Sequence, residues 1–472
     1  MKRCMTYIQC EENMRKLIGD KKFYKMVLLI AIPIMIQNGI TNFVSLLDNI
    51  MVGQVGTDQM SGVAIVNQLI FVFNLCIFGG VSGAGIFSSQ FYGQKNHQGV
   101  KEALRFKLII CGIITILGLG VLMLDGKDLI GLYLHEGSDT GNLEATLKYG
   151  EQYLAIMLIG LIPFAVSQSY SSTLRETEET VIPMKAGVAA VGVNLVINYL
   201  LIFGKFGCPK LGIQGAAIGT VISRYVECII VVSWTHKHQE RNLFAKGLYK
   251  NFSVPMNLAK QITIKGMPLI LNEAFWAAGT AALMQCYSVR GLSVVAGLNI
   301  ASTIANLFNV VFIALGSSVS IVVGPLLGAG KMEEAKETAH KMIVFSVICC
   351  LIMGGVMIIA APLFPAIYNT TDEVKTLAAW FIRVAALCMP IYGFLHATYF
   401  TIRSGGKTFI TFLFDSVFLW VVSVPLAFCL ANYSLIHIIP IYLICQLADL
   451  IKCIIGYILL KREIWLENLV EA

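Results

Sequence analysis

The chain has 472 residues, of which 57% are hydrophobic and only 13% are charged. A soluble domain carries about a quarter charged residues, so this composition excludes a soluble globular protein and indicates a chain that crosses a membrane many times. The formal net charge of +7 is carried mainly by the loops, and we therefore expect no nucleic-acid partner.

Twelve apolar segments recur along the chain, and each is long enough to cross a bilayer as a helix. They span residues 26–50, 60–83, 103–124, 149–170, 182–204, 211–233, 263–287, 295–323, 340–365, 377–402, 408–431 and 437–460. The sequence therefore predicts an all-α, multi-pass protein of the cell membrane with twelve transmembrane helices.

The loops on the two sides of these segments differ in charge. One set, counted with both chain ends, carries 26 Lys and Arg residues, and the opposite set carries 6. Cytoplasmic loops are the ones enriched in Lys and Arg, so we expect both termini to be cytoplasmic.

The longest basic connection, residues 235–260, falls halfway along the chain. It predicts an N-terminal six-helix lobe at 1–234, a cytoplasmic linker at 235–260 and a C-terminal six-helix lobe at 261–472. A shift of 235 residues aligns Pro33 with Pro268, and a later shift of 228 aligns TLRETEET with TIRSGGKT. Because six is an even number, the lobes would be parallel repeats with pseudo-two-fold symmetry and a cavity between them.

Five stretches resemble the multidrug and toxic compound extrusion (MATE) family. They are LLDNIMVGQVG, NLVINYLLIFG, LGIQGAAIGTVISR, GMPLILNEAFW and TIRSGGKT, and the resemblance extends over nearly the whole chain. It implies a twelve-helix, two-lobed transporter that exchanges organic cations for Na⁺ or H⁺ by a rocking motion. We expect a monomer in contact with membrane lipids, with no cofactor other than the coupling ion.

A candidate ion site surrounds Asp48, a carboxylate near the end of the first apolar segment. Asn194 and Asn198 are four residues apart, as are Ala216 and Thr220, so each pair shares a helix face. A carboxylate, two amide oxygens, a hydroxyl and a backbone carbonyl suit a small hard cation such as Na⁺. The alternative is a structural Asp near the interface, with asparagines that hold helices together.

The resemblance supports the ion site, because these positions form the N-lobe cation site in many Na⁺-linked relatives. Asn198 departs from that pattern, since the position is usually Asp. A single carboxylate weakens a Na⁺ site, so the choice between Na⁺ and H⁺ stays open.

Glu273 is a second candidate for cation coupling. It lies inside the seventh segment among apolar neighbours, where an ionisable group is costly and usually functional. The resemblance matches it to a carboxylate that takes part in coupling in one branch of the family. That branch has a second acid roughly at the position that Tyr392 occupies in this chain. Its mechanism with two acids therefore cannot be carried over completely. The alternative is a structural acid bonded to Asn272 or to a neighbouring helix.

Several side chains could line a substrate cavity, because aromatic faces and Met sulfurs suit lipophilic cations. The candidates are Asn38, Gln168, Tyr170, Trp276, Met284, Asn306 and His396. His396 could also relay protons. Aromatic and His side chains inside membrane helices are more often packing residues. Arg175 and Arg403, at corresponding helix ends, suggest gating or loop anchoring.

These features favour a secondary antiporter over three other classes. A flippase for lipid-linked precursors or polysaccharides, from the same wider superfamily, would need a more cationic cavity than Asp48 and Glu273 provide. A membrane enzyme is disfavoured because the segments carry no HExxH or paired catalytic carboxylates, and a channel because no filter-like segment is visible. Nothing suggests ATP drive, because the sequence has no GxxxxGK[ST] phosphate-binding loop and no soluble domain to hold one.

Overall fold

The computed structural model describes residues 18–133, 142–368 and 370–471. Within these ranges the chain forms twelve long helices, which we number in chain order. They are α1 (Lys21–Gly53), α2 (Thr57–Gly93), α3 (His97–Leu124), α4 (Leu143–Glu176), α5 (Val181–Phe203), α6 (Ile213–Lys237), α7 (Met256–Ser288), α8 (Leu292–Gly328), α9 (Met332–Ala360), α10 (Asp372–Ser404), α11 (Thr408–Tyr433) and α12 (Ile438–Lys461).

The twelve helices confirm the predicted all-α membrane fold, and each one overlaps a predicted apolar segment over most of its length. Eleven of the described helices are long and apolar enough to cross a membrane. The twelfth is α7, which has the length but carries Asn272 and Glu273 near its middle. Two adjacent polar residues lower the mean hydropathy of a span, which explains the weaker hydropathy signal of α7.

The helix bounds repeat along the chain. A shift of 235 residues carries α1 onto α7 and α2 onto α8, matching both ends of each helix. Pro33 in α1 and Pro268 in α7 occupy equivalent positions inside their helices. An internal repeat therefore shapes the helices as well as the sequence. The exact lobe boundaries and the pseudo-two-fold relation stay predictions.

Three helices are interrupted. In α4, a 3₁₀ turn at Leu158–Gly160 separates two α-helical parts. In α11, π-helical turns occupy Leu413–Val417 and Leu419–Ser423. In α12, a single residue separates Ile438–Leu447 from Asp449–Lys461. π turns inside α-helices occur frequently at functional sites. Asp415 lies in the first π turn of α11, and Asp449 directly follows the interruption in α12.

The described chain divides into two compact units. The first unit comprises residues 36–88 and 96–270, and the second comprises residues up to 35, 89–95 and those from 271 onward. Val66, Ile77 and Leu161 lie fully buried in the core of the first unit. Phe381 and Cys350 lie fully buried in the core of the second unit.

A tail segment, residues 463–471, is bound tightly within the second unit. Trp465 is only 1% exposed. The side-chain nitrogen of Gln90 donates to the carbonyl oxygens of Ser404 at 2.9 Å and of Glu467 at 3.2 Å, while the amide of Leu469 donates to the Gln90 side-chain oxygen at 2.8 Å. The tail segment thus holds the end of α2 beside the end of α10.

Candidate functional site

Asp48 lies on α1 inside the first unit, where it is half-buried. Its Oδ1 accepts a hydrogen bond from Nδ2 of Asn198 on α5 at 2.8 Å. Asn198 is only 1% exposed. A carboxylate placed among buried side chains is tolerable only when it is paired, coordinated or protonated, and here an amide donor is its closest partner.

The other predicted members of this site lie beside that pair. The Asn194 side-chain amide lies between two of them, because one of its polar atoms is 3.2 Å from Nδ2 of Asn198 and the other is 3.3 Å from the hydroxyl of Thr220. Thr220 in turn donates to the carbonyl oxygen of Ala216 at 3.1 Å. The structure therefore brings all five residues into one hydrogen-bonded chain across α1, α5 and α6.

The Asn194 amide also lies against the Asp48 carboxylate, and its hydrogen-bond partners set its orientation. With the Asn194 nitrogen towards Asp48, that nitrogen lies 3.0 Å from Oδ1 and 3.2 Å from Oδ2 and donates to them. Two amide groups, from Asn194 and Asn198, therefore donate to one carboxylate.

Small residues on α6 bring α5 close enough to form the site. A Cβ on Gly215 would lie 2.7 Å from the carbonyl carbon of Leu201, and one on Gly219 would overlap the side-chain oxygen of Asn198. That Asn198 oxygen is buried and has no hydrogen-bond partner among the described residues. The site therefore holds an acceptor that is already desolvated but unused, which is expensive unless something binds there.

Glu273 lies half-buried on α7 in the second unit. The charges of Arg403 and Asp415 act on its carboxyl group. The neighbouring Asn272 donates to Oδ2 of Asp415 at 3.2 Å, and the hydroxyl of Ser416 donates to the Asn272 side-chain oxygen at 2.7 Å. Glu273 therefore lies next to Asn272, whose hydrogen bonds join α7 to α11.

Arg175 and Arg403 have related surroundings in the two units. Arg175 donates to the Gln37 side chain at 2.9 Å, and the shift of 235 residues places Gln37 on Asn272, next to Glu273. The Arg403 side chain is 8% exposed, and its positive charge interacts electrostatically with the Glu273 carboxyl group. Each Arg thus lies near the equivalent part of α1 or α7.

The structure contains buried ions that the sequence analysis passed over. Lys452 on α12 pairs with Asp415 at 3.4 Å and with Asp449 at 3.7 Å. In the first unit the fully buried ammonium of Lys107 pairs with Glu176 and also donates to the hydroxyl of Ser172 at 2.7 Å. For each of these charged residues except Glu176, the available signal was a position inside an apolar segment, where ionisable side chains are rare.

The predicted cavity residues occupy varied environments. Tyr170 is buried, and its hydroxyl is bonded to His236 at 2.9 Å and to Tyr249. Met284 packs against the core of the second unit, and His396 packs on the Phe312 ring with 4.3 Å between centroids. Asn38 and Gln168 are half-buried, whereas Asn306 and Trp276 are exposed. Trp276 lines a cavity within the second unit, and a substrate role for each of these residues stays a prediction.

The chain is similar in sequence to a known family and to known proteins. The MatE family model matches residues 33–200 and 268–429. The chain is 22% identical to "Probable multidrug resistance protein YoeA" of Bacillus subtilis, over 92% of this chain and 93% of the relative. It is 23% identical to "Probable multidrug resistance protein NorM" of Thermotoga maritima, over 90% and 89%.

A solved structure of a mutant of the Vibrio cholerae MATE transporter VcmN superposes with a TM-score of 0.83. It is 18% identical, and the match covers 95% of this chain and 98% of that one. At this identity the likeness establishes the fold alone. The two blocks matched by the family model begin at Pro33 in α1 and at Pro268 in α7, and so follow the internal repeat.

Proposed function

The chain belongs to the MatE family of membrane transporters, which are not enzymes, and we propose that it is a cation-coupled antiporter that exports organic cations and drugs from the cell. The two relatives above are named for multidrug resistance, and this supports small-molecule export as the task. Export would proceed by rocker-switch alternating access. We propose that one chain suffices, surrounded by membrane lipids and with both termini in the cytoplasm.

The observation that carries this proposal is the environment of Asp48. One carboxylate lies among the side chains of Asn194, Asn198 and Thr220, and Nδ2 of Asn198 donates to it at 2.8 Å. A carboxylate among buried polar side chains must be paired, coordinated or protonated, and one Na⁺ or one proton would neutralise it. This environment supports Asp48 as the place where a coupling ion binds and leaves.

The coupling ion in this proposal is Na⁺ or H⁺. With a single carboxylate, either one Na⁺ or one proton brings the Asp48 site near neutrality. Oxygen ligands suit Na⁺, whereas the lack of a second carboxylate weakens its binding. The two ions would therefore compete for Asp48, and which one drives export depends on their concentrations.

A flippase for lipid-linked precursors is less well supported by the charges. Such a protein needs surplus positive charge to hold a phosphate group. The buried ammonium of Lys107 is paired with Glu176, and Lys452 is paired with two carboxylates. Both lysines are therefore already neutralised by neighbouring acids.

The test is ethidium transport in proteoliposomes that contain the purified chain, with Na⁺ and pH gradients imposed separately. We expect either ion gradient alone to drive ethidium transport, in the direction opposite to the ion flow. Transport should stop when both gradients are collapsed by ionophores. Ethidium movement that needs no gradient, or no movement of any organic cation under either gradient, would contradict the proposal. A matched measurement with labelled lipid-linked precursor tests the flippase alternative.

A further inference from the structure

The helix α2 is divided between the two compact units. Its residues 57–88 belong to the first unit, whereas residues 89–93 at its end belong to the second. The helix itself runs continuously from Thr57 to Gly93. A movement of the first unit relative to the second must therefore either carry the end of α2 along or bend the helix.

The end of α2 packs directly against the end of α8 inside the second unit. A Cβ on Gly93 would overlap the carbonyl oxygen of Pro325, and one on Gly328 would overlap the carbonyl oxygen of Gln90. Small residues are what allow two membrane helices to bring their backbones this close. The two helix ends are therefore in direct backbone contact.

The tail segment adds hydrogen bonds that hold the end of α2 in this position. The Gln90 side chain is fully buried and is bonded to the backbone of Glu467 and Leu469. Nε2 of Gln94 donates to the carbonyl oxygen of Val470 at 3.1 Å. Because Gln90 and Gln94 are four residues apart, one face of α2 presents two amides to the tail segment.

The tail segment is also fixed to the second unit by contacts that do not involve α2. Glu463 pairs with Lys336 on α9, and Glu467 pairs with Lys407, which directly precedes α11. Between these two pairs, Trp465 is buried in the core of the second unit. The tail segment would therefore stay on the second unit if the end of α2 moved away.

We propose that Gln90 and Gln94 form a latch with the tail segment, which holds the cytoplasmic side of the transporter closed and must release before that side opens. The inference rests on the proposed function, because the rocker-switch cycle supplies the movement. In that cycle the end of α2 separates from α8 and leaves the tail segment behind. The predicted orientation places the latch on the side where substrate enters, so it regulates how readily the transporter opens to load.

The alternative is a purely structural role for the same contacts. The helix α2 carries four glycines between residues 79 and 85. Sharp helix bends occur at such positions. If α2 bent there, its end would remain on the tail segment throughout the cycle, and locking the latch would not affect transport.

The first experiment locks the latch with a chemical bridge in the full chain without native cysteines. Gln94→Cys and Glu471→Cys place thiols beside the bond between Gln94 and Val470, and a cleavable bismaleimide joins them. We expect ethidium export in proteoliposomes to fall to less than about a tenth while the bridge is present, and to recover after cleavage. Each single cysteine variant, treated in the same way, is the matched control and should export normally. Full export by the bridged protein would overturn the proposal.

The second experiment measures release without relying on export. Ser89 is only 3% exposed, and its hydroxyl donates to the carbonyl oxygen of Ser320 on α8 at 3.4 Å. The thiol of Ser89→Cys should therefore react with a maleimide only when α2 leaves α8.

Gln90→Met removes the hydrogen bonds to the tail segment at similar side-chain size, and should speed this reaction at least about tenfold. Gln54→Met, at an exposed position just before α2, is the matched control. An unchanged rate in folded Gln90→Met would contradict the latch. The bridged protein keeps Gln90, so it decides the question if Gln90→Met does not fold.

Together the two experiments separate this inference from the proposed function. If the bridged and unbridged proteins export ethidium equally well, the latch is wrong and the exporter stands. If no organic cation is moved under any gradient but Gln90→Met speeds the labelling of Ser89→Cys, the latch stands and the proposed function is wrong.

Discussion

The amide nitrogen of Asn198 donates to Oδ1 of Asp48 at 2.8 Å, a bond between residues 150 positions apart in the chain. This contact joins α1 to α5 and places an uncharged amide where many relatives are expected to have a second acid. The Asp48 site thus contains one negative charge rather than two, and the first two predictions follow from that difference.

Replacing Asp48 should abolish coupling by either ion. Asp48→Asn keeps the size and hydrogen bonding of the side chain but removes the charge that Na⁺ or a proton would neutralise. We expect ethidium transport to fall to less than about a tenth of wild type under a Na⁺ gradient and under a pH gradient alike. Transport that persists under one gradient would show that the corresponding ion couples elsewhere.

Adding a carboxylate at position 198 should strengthen Na⁺ coupling. Asn198→Asp creates a second negative charge beside Asp48, so the Na⁺ concentration that gives half-maximal efflux should fall by about tenfold at fixed pH. Asn432→Asp, at an exposed position of α11, is the control. An unchanged Na⁺ response in folded Asn198→Asp would mean that residue 198 does not contact the ion.

Glu273 should be needed for export but not for folding. Glu273→Gln removes a charge that interacts with Arg403 and Asp415, and we expect normal yield with most efflux lost. Glu240→Gln, in an exposed loop, should transport like wild type. Wild-type ethidium efflux by Glu273→Gln would assign the residue a structural role.

The Lys107–Glu176 pair should stabilise the first unit. Lys107→Met leaves the Glu176 carboxylate without its buried partner, which should lower the free energy of unfolding by about 3 to 5 kcal/mol. Adding Glu176→Gln should recover most of that loss, because the unpaired charge is then gone. Denaturant titration in detergent measures both, with Lys101→Met on the same helix as the control. A double variant no more stable than Lys107→Met would contradict the ion-pair explanation.

Loop charge predicts which loops face the cytoplasm. In a background without native cysteines, an impermeant thiol reagent should label a cysteine at position 139 in intact cells, and one at position 246 only after permeabilisation. Position 246 is exposed in the connection between α6 and α7, whereas position 139 lies outside the described residues. Labelling of position 246 in intact cells would reverse the predicted orientation.

Local spacing in the sequence was sufficient to group the Asp48 site but not the network in the second unit. Asn194 and Asn198 were predicted to share a face because four residues make about one helical turn. Asp415 and Lys452 lie on different helices, and their pairing depends on how α11 and α12 pack. The bond from Tyr170 to Tyr249 likewise depends on the path of a long loop. Sequence periodicity carries no information about such pairings.

The tail segment makes the second unit depend on residues at widely separated points of the chain. Gln90 is bonded to Leu469, which is 379 positions later, so this contact cannot form until all of the intervening chain has been synthesised. The first unit ends at residue 270, and its core can assemble much earlier. During membrane insertion the first unit should therefore fold before the second. In that interval the polar side chain of Gln90 lacks its hydrogen bonds to the tail segment. That interval is when a quality-control protease would most readily recognise the unfinished protein.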